Sequence, residues 1–432
     1  MPYSLGIYTL GCKVNQYESE AIAEAAQKRG FCIKSPTEAC DAYIINTCTV
    51  TGESDRKSRQ LIRRAISANP CAAVAVTGCS SQVAPESIEK ICGVDYMCGN
   101  TDKLSCIDAL ISILEGKKTP KNAVIPIDDA PFEKMNIEHF PRTRAYIKIE
   151  DGCESHCTYC IIPRARGKIR SKPKCEVLSE LSTLAEGGCR EVVLTGIETA
   201  SYGIDLENYR LADLLEDADK LLAGRARIRL GSLDPSLIKP QFVERIAALP
   251  SLAPHFHLSM QSGCDKTLAR MKRKYNTEMA LLAMERLRAT LPEVQFTTDL
   301  IVGFPGETDG DFETTLEFVN KAKFLSAHVF AYSKRNGTEA AKMPDQVAES
   351  TKRERSARLI AECKRISDEI LKEQIGKEVS VLFETYSNGY AVGHTPSFIE
   401  VRAKSDVPLH STVKNVRITD LGIGEILDSE KK

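Results

Sequence analysis

Cys153, Cys157 and Cys160 stand in a C-x3-C-x2-C run, DGCESHCTYC. Cysteine thiolates select soft metals and iron–sulfur clusters. Three of them can hold three irons of a four-iron cluster, and the fourth iron then has no protein ligand. Such an open iron can chelate a small molecule through an amine and a carboxylate. Two blander readings of the same spacing stay open. His156 would complete a closed, four-coordinate zinc site. An electron carrier of the ferredoxin kind is the other reading, although those supply four cysteines per cluster. The next cysteine, Cys175, comes only after a basic stretch.

A second set lies near the start. Cys12, Cys48 and Cys79 close the segments TLGC, INTC and VTGC, each at the end of a strand-like apolar run. In an open parallel sheet the carboxyl ends of the strands share one edge, where ligands bind. Three thiols from successive strand ends can therefore converge although they are far apart in sequence. Gly11, Asn46, Thr47 and Gly78 beside them leave room near the backbone. Any one of these cysteines alone reads as a buried small hydrophobe. All three at matching positions read as a second three-thiolate site. The other cysteines lack a ligand-like context.

The elements that position these residues follow from periodicity. Apolar runs at Ser4–Leu10, Asp41–Thr47 and Ala72–Thr77, with a short piece near Val94–Cys98, alternate with helical patterns such as Tyr17–Arg29. That alternation predicts an α/β chain opening with a parallel open sheet, residues 1–115. Residues 116–140 are polar and proline-bearing and read as a linker or irregular crossover. Six further strand–helix repeats over 141–370, from AYIKIE to SAHVFAY, fit a partial (β/α)6 barrel. Past a charged helix, residues 371–432 turn to short alternating strands, a small all-β barrel of OB-like type.

The chain has 432 residues, sixteen cysteines and a formal net charge of −1. No apolar run approaches the roughly 18–20 residues that span a membrane, and the first residues lack the pattern of a signal peptide. The expectation is a cytoplasmic protein with reduced thiols and no membrane partner.

Taken together, TLGCKVNQYESE, NTCTVT, VTGCSSQ, the C-x3-C-x2-C run, LTGIETASYG, HLSMQSG, TTDLIVGFPGET and HVFAYSKRNGT resemble, in order and over essentially the whole chain, the methylthiotransferase branch of the radical S-adenosylmethionine (radical SAM) enzymes. The resemblance implies an N-terminal cluster domain, a radical SAM barrel and a C-terminal TRAM-like β module. It implies two [4Fe-4S] clusters. One, on Cys153, Cys157 and Cys160, would bind and cleave SAM. The other, on Cys12, Cys48 and Cys79, would carry the sulfur to be transferred. SAM would serve as both radical source and methyl donor, with an electron donor such as flavodoxin or ferredoxin. The Lys-Val-Asn after Cys12 resembles the branch acting on N6-threonylcarbamoyladenosine in tRNA. The isopentenyladenosine branch typically has Gln-Met-Asn there, and a third branch modifies an aspartate of a ribosomal protein. A rival outside the enzymes is a metal-bearing RNA-binding protein.

Gly196 and Glu198, in LTGIE, resemble the element that cradles the SAM ammonium, with Ile197 departing from the usual second glycine. Tyr159, Ser232, Gln261 and Asp299, beside the cysteines or near strand ends, are further expected SAM or substrate contacts. Arg164, Arg166, Lys168 and Arg170, directly after the cluster motif, are expected to meet tRNA phosphates. Arg270, Lys272, Arg273 and Lys274 form a second basic patch. Phe383, Tyr386, Tyr390 and Phe398 in the β module read as core or as base-stacking positions.

Overall fold

The computed structural model describes residues 2–128 and 130–427. The first sheet has five parallel strands: β1 (Ser4–Thr9), β2 (Cys32–Lys34), β3 (Ala42–Thr47), β4 (Ala73–Gly78) and β5 (Tyr96–Met97), in spatial order β2-β1-β3-β4-β5. β3 and β4 are buried along their whole length. A parallel sheet covered on both faces requires this, which is why these strands read as unbroken apolar runs. β2 was not foreseen, because a three-residue strand is too short to show a period. The helices of this domain are α1 (Lys13–Lys28), α2 (Gly52–Ala68), α3 (Cys79–Val83), α4 (Pro85–Glu89) and α5 (Ser105–Leu114). α1 buries Val14, Tyr17, Ala21 and Ile22 on one face.

The barrel opens with β6 (Ala145–Lys148). A two-stranded ribbon, β7 (Glu150–Asp151) with β8 (Arg170–Ser171), then brackets the cysteine loop and the short helix α6 (Ile162–Arg166). β9 (Glu191–Thr195) and β10 (Arg227–Leu230) join β6 in a parallel sheet of order β10-β9-β6. β11 (Ser232–Leu233), β12 (His255–Gln261), β13 (Gln295–Val302) and β14 (Ser326–Ala331) form the other half, also parallel. β10 and β11 are one strand interrupted at Gly231, so the two sheets form the six-strand arc expected of a partial barrel.

Side chains alternate along these strands. On β12, Phe256, Leu258 and Met260 join the hydrophobic core. His255, His257, Ser259 and Gln261 take the opposite face, as the two-residue period requires. Arg229 and Glu191 pair at 2.7 Å on the polar side of β10 and β9, and His257 meets Asp299 at 3.4 Å. The barrel lumen is therefore lined by ionisable groups.

The C-terminal module is a closed barrel of β15 (Glu378–Ser387), β16 (Tyr390–His394), β17 (Glu400–Lys404), β18 (Val413–Asp420) and β19 (Ile423–Ile426), in the order β15-β16-β17-β19-β18. The last five residues of the module expected from the sequence lie outside the described residues. Its aromatic residues are mostly structural. Phe383 is core. Phe398 stacks on His255 at 4.5 Å and His394 at 4.6 Å, with Arg144 and Arg229 over its ring. His255 begins β12, so Phe398 plugs the amino-terminal floor of the large barrel. Tyr386 stays exposed.

The segment between the first two domains is pinned to both. Tyr17 Oη donates to Met135 O at 2.5 Å, Lys172 Nζ to Met135 O at 2.9 Å, and Ile137 N to Glu180 Oε1 at 2.7 Å. Among the described residues, no helix is long and apolar enough to cross a membrane.

Candidate active site

Cys153, Cys157 and Cys160 line one cavity of about 290 Å³ at the carboxyl end of the barrel strands. Backbone bonds fix their loop: Cys153 N to Gly167 O at 3.0 Å, Cys160 N to Cys157 O at 2.9 Å, and Thr158 N to Met271 O at 3.2 Å. Ile162 N, at the start of α6, donates to Cys160 Sγ at 3.4 Å. His156 adopts a left-handed φ of 48°, a strained conformation held where the loop turns between the ligands. Burial raises the Cys153 thiol and pushes Cys160 up to about 12. Thiols in such a setting ionise when a metal supplies the compensating charge.

Cys12, Cys48 and Cys79 also converge. Cys12 caps the amino end of α1, where the helix dipole favours a thiolate. Cys79 opens α3. A Cβ on Gly11 would lie 2.9 Å from Cys48 Sγ, and one on Gly78 2.5 Å from Thr47 O. Both glycines have φ near +100°, so side-chain-bearing residues would be strained as well as crowded there. Their absence of side chains is what lets the three strand-end loops close together. Burial pushes Cys48 up to about 11, with Cys79 and then Cys12 adding to it. Cys12 is solvent-accessible, yet local desolvation still raises it, with Arg166 opposing and Cys79 reinforcing.

Zinc would draw its thiolates to about 3.8 Å from one another, given Zn–S bonds of about 2.3 Å. Among the described residues, the trio with ligand atoms all within 4.8 Å is Glu24, Glu138 and His139, on the surface. Neither cysteine trio brings its three ligand atoms that close, and a donor set of three thiolates suits three irons of a four-iron cluster.

The two sets face the same seam. Val50 and Thr51, just after Cys48, form a wall of the cavity that holds Cys153, Cys157 and Cys160. Arg335, after β14, donates to Asp55 Oδ2 at 2.7 Å and Thr49 Oγ1 at 2.5 Å, closing the seam.

Of the residues expected to contact the small molecule, Tyr159, Glu198, Gln261 and Asp299 line the cavity. Gln261 has φ of 63° where β12 slips register against β13, and this bulge sits at the cavity wall. Glu198 is pushed up to about 7 by burial and then by Asp234, against Arg273. Gly196 and Ser232 are not among the lining residues. Gly196 has a packing reason instead: a Cβ there would stand 2.5 Å from Glu150 Oε2. That buried carboxyl accepts the Glu198 N–H at 2.8 Å, and burial raises it well above the ordinary carboxylate range. Ser232 lies in β11, in register with His257.

The expected phosphate-binding run divides. Arg164 and Lys168 are exposed. Arg166 is fully buried and donates to Glu18, Asp151 and Asn15. Arg170 is buried against Asp151 and the Arg166 carbonyl. These two arginines are structural cations: Arg166 meets Glu18 across the domain seam, and both meet Asp151 within the barrel domain. Glu18 also takes Lys103 at 2.6 Å and Lys148 at 3.0 Å. In the second patch Arg273 turns inward, lining the cavity and donating to Cys157 Sγ at 3.2 Å. Arg273, Glu150 and Asp234 were missed as site residues, and nothing in their local sequence distinguishes them. Lys13 is accessible, but desolvation and then the charges of Arg229 and Arg144 lower its pKa, with Asp299 opposing. All three neighbours belong to the barrel, so the Lys13 charge is coupled to that domain.

The sequence matches the Radical SAM superfamily over residues 147–319 and the uncharacterized protein family UPF0004 over residues 4–99. Each match spans one cysteine trio. The chain is 40% identical over 430 residues to the threonylcarbamoyladenosine tRNA methylthiotransferase MtaB of Bacillus subtilis (strain 168), covering 97% of this chain and 94% of that protein. Identity to the protein of the same name from Thermotoga maritima is 41% over 382 residues, covering 88% and 86%. A tRNA-2-methylthio-N(6)-dimethylallyladenosine synthase of Desulfitobacterium hafniense (strain Y51) is 34% identical over 434 residues, covering 97% and 96%. Among solved structures, the radical SAM methyltransferase TsrM of Kitasatospora setae, with cobalamin and a [4Fe-4S] cluster bound, aligns with TM-score 0.59 at 15% identity, covering 79% of this chain and 77% of that one. That likeness concerns the fold.

Proposed function

This chain belongs to the radical SAM methylthiotransferases, and on that premise we propose that it places a methylthio group on C2 of N6-threonylcarbamoyladenosine beside the tRNA anticodon. The observation that carries the proposal is the opening of both cysteine trios onto one seam, with Val50 and Thr51 walling the cavity of the other set. The two sites can then serve one substrate in turn.

In the proposed division of labour, Cys153, Cys157 and Cys160 hold one [4Fe-4S] cluster and Cys12, Cys48 and Cys79 hold the other. When bound, the first cluster and SAM supply a radical able to break an aromatic C–H bond that acid–base chemistry cannot reach. Glu198 accepts from the SAM ammonium, and Tyr159, Gln261 and Asp299 enclose the bound molecule. Ile301, Phe330 and Tyr332 give the cavity an apolar wall that limits water. Arg164 and Lys168, both exposed after the cysteine loop, meet tRNA phosphates.

The choice of base is supported by Lys13. The threonylcarbamoyl group carries a free carboxylate, and a dimethylallyl group carries no charge. An ammonium directly after Cys12 in the chain favours the anionic substituent. The test is mass spectrometry of tRNA nucleosides from a deletion strain of the source organism. Loss of the methylthio derivative of threonylcarbamoyladenosine, restored by this gene, is the expected result. Loss of the dimethylallyl derivative instead would overturn the substrate.

A further inference from the structure

Arg273 lies between Lys272 and Lys274, which are exposed, but its own side chain is 7% exposed. Three anchors fix it. Nε donates to Tyr275 Oη at 3.1 Å, and Nη2 to Asp234 Oδ2 at 3.1 Å and Ser259 O at 3.2 Å. The Tyr275 ring lies 4.9 Å from the guanidinium, and its hydroxyl donates to Ser259 O at 2.5 Å. The remaining arm, Nη1, is thereby aimed at Cys157 Sγ, 3.2 Å away. Asp234 N donates to Glu198 Oε1 at 3.3 Å, so one scaffold joins the cavity carboxylate to the cysteine sulfur.

We propose that Arg273 sets the reduction potential of the cluster on Cys153, Cys157 and Cys160 through its charge-assisted hydrogen bond to the Cys157 sulfur. The proposal rests on reading those cysteines as cluster ligands. Hydrogen bonds to cluster sulfurs and the local charge govern such potentials. A cation at a buried sulfur stabilises the reduced, more negative state, and the low local dielectric magnifies the effect. Arg273 thus makes the cluster easier for its electron donor to reduce. It acts through Cys157 and is a positioning residue.

The test uses the full chain with Cys12, Cys48 and Cys79 changed to Ala, so that one cluster is read. The midpoint potential is measured anaerobically by dithionite titration followed by electron paramagnetic resonance, without SAM. Arg273→Met should shift the midpoint to more negative values at unchanged iron and sulfide content, and Arg273→Lys should restore part of the shift. Arg273→Gln, which keeps a donor but removes the charge, should shift it the same way. If Arg273→Met fails to hold the cluster, the Lys and Gln variants carry the test, and unmoved midpoints in both overturn the proposal. An unmoved midpoint in an iron-loaded Arg273→Met protein also overturns it, including the case where only SAM affinity falls. A parent protein that takes up no iron and sulfide refutes the underlying cluster reading instead.

Discussion

Arg166 Nη1 donates to Glu18 Oε1 at 2.6 Å across the seam between the N-terminal sheet domain and the barrel, with both side chains at 0% exposure. Asp151, Lys103 and Lys148 complete the buried cluster. Such a network contributes little net stability over apolar packing, but removing one member leaves an uncompensated buried charge. Against the burial that would raise it, Arg166, Lys103 and Lys148 hold Glu18 well below the ordinary carboxylate range.

Arg166→Met should therefore cost about 3–5 kcal/mol, read as a lowered unfolding midpoint and faster proteolysis at the domain seam. The acid side has a definite sign. Glu18 is depressed in the folded state, so its contribution is complete above its unfolded pKa of about 4.3 and is lost as pH falls toward the folded value. An Arg166→Met protein as stable as the parent at neutral pH would contradict this.

With its carboxyl pushed up to about 7 by burial and Asp234, Glu198 in its proposed role should make SAM affinity depend on pH. The SAM ammonium favours the carboxylate form, so below pH 7 binding must expel a proton. Affinity should fall by up to about tenfold per pH unit below 7 and level off above it. Calorimetry in buffers of different ionisation enthalpy checks the proton release. Glu198→Gln should bind weakly with a flat profile, and a flat profile in the parent would remove Glu198 from this role.

Gly196 and Glu150 separate packing from contact. Gly196→Ala drives a methyl into the Glu150 carboxyl, at a cost of about 1–3 kcal/mol, and should weaken SAM binding by displacing Glu198. Glu150→Gln keeps the acceptor for the Glu198 N–H, so its SAM binding should stay closer to the parent's than that of Gly196→Ala. Parent-like SAM binding in Gly196→Ala would show that the turn tolerates the methyl.

Lys13→Met should lower methylthiolation of threonylcarbamoyladenosine tRNA by about ten- to a hundredfold, the loss of a charge-assisted bond of about 1.5–3 kcal/mol. SAM cleavage without tRNA should persist. Equal activity on that tRNA in the variant would remove Lys13 as the carboxylate partner.

The α/β alternation and the places of the six cysteines, at strand ends and in one short loop, were readable because each depends on local pattern: β3 and β4 are unbroken apolar runs, and each cysteine closes a strand or sits in a short motif. Basic residues misled where their partners are remote. Arg166 and Arg170 look like a nucleic-acid surface after Cys160, but Arg166 is buried against Glu18, which is distant in sequence, and Arg170 against Asp151, on the other side of the cysteine loop. Arg273 hides between two exposed lysines. Phe398 looked like barrel core or a stacking platform, and its partner His255 belongs to another domain.

In the proposed function the two cysteine trios divide one reaction. Its most direct test is Cys12→Ala, assayed with SAM, reductant and substrate tRNA for both 5′-deoxyadenosine and the methylthio nucleoside. SAM cleavage should continue with no methylthiolated product, whereas Cys153→Ala should lose both. Intact methylthiolation by Cys12→Ala would contradict it.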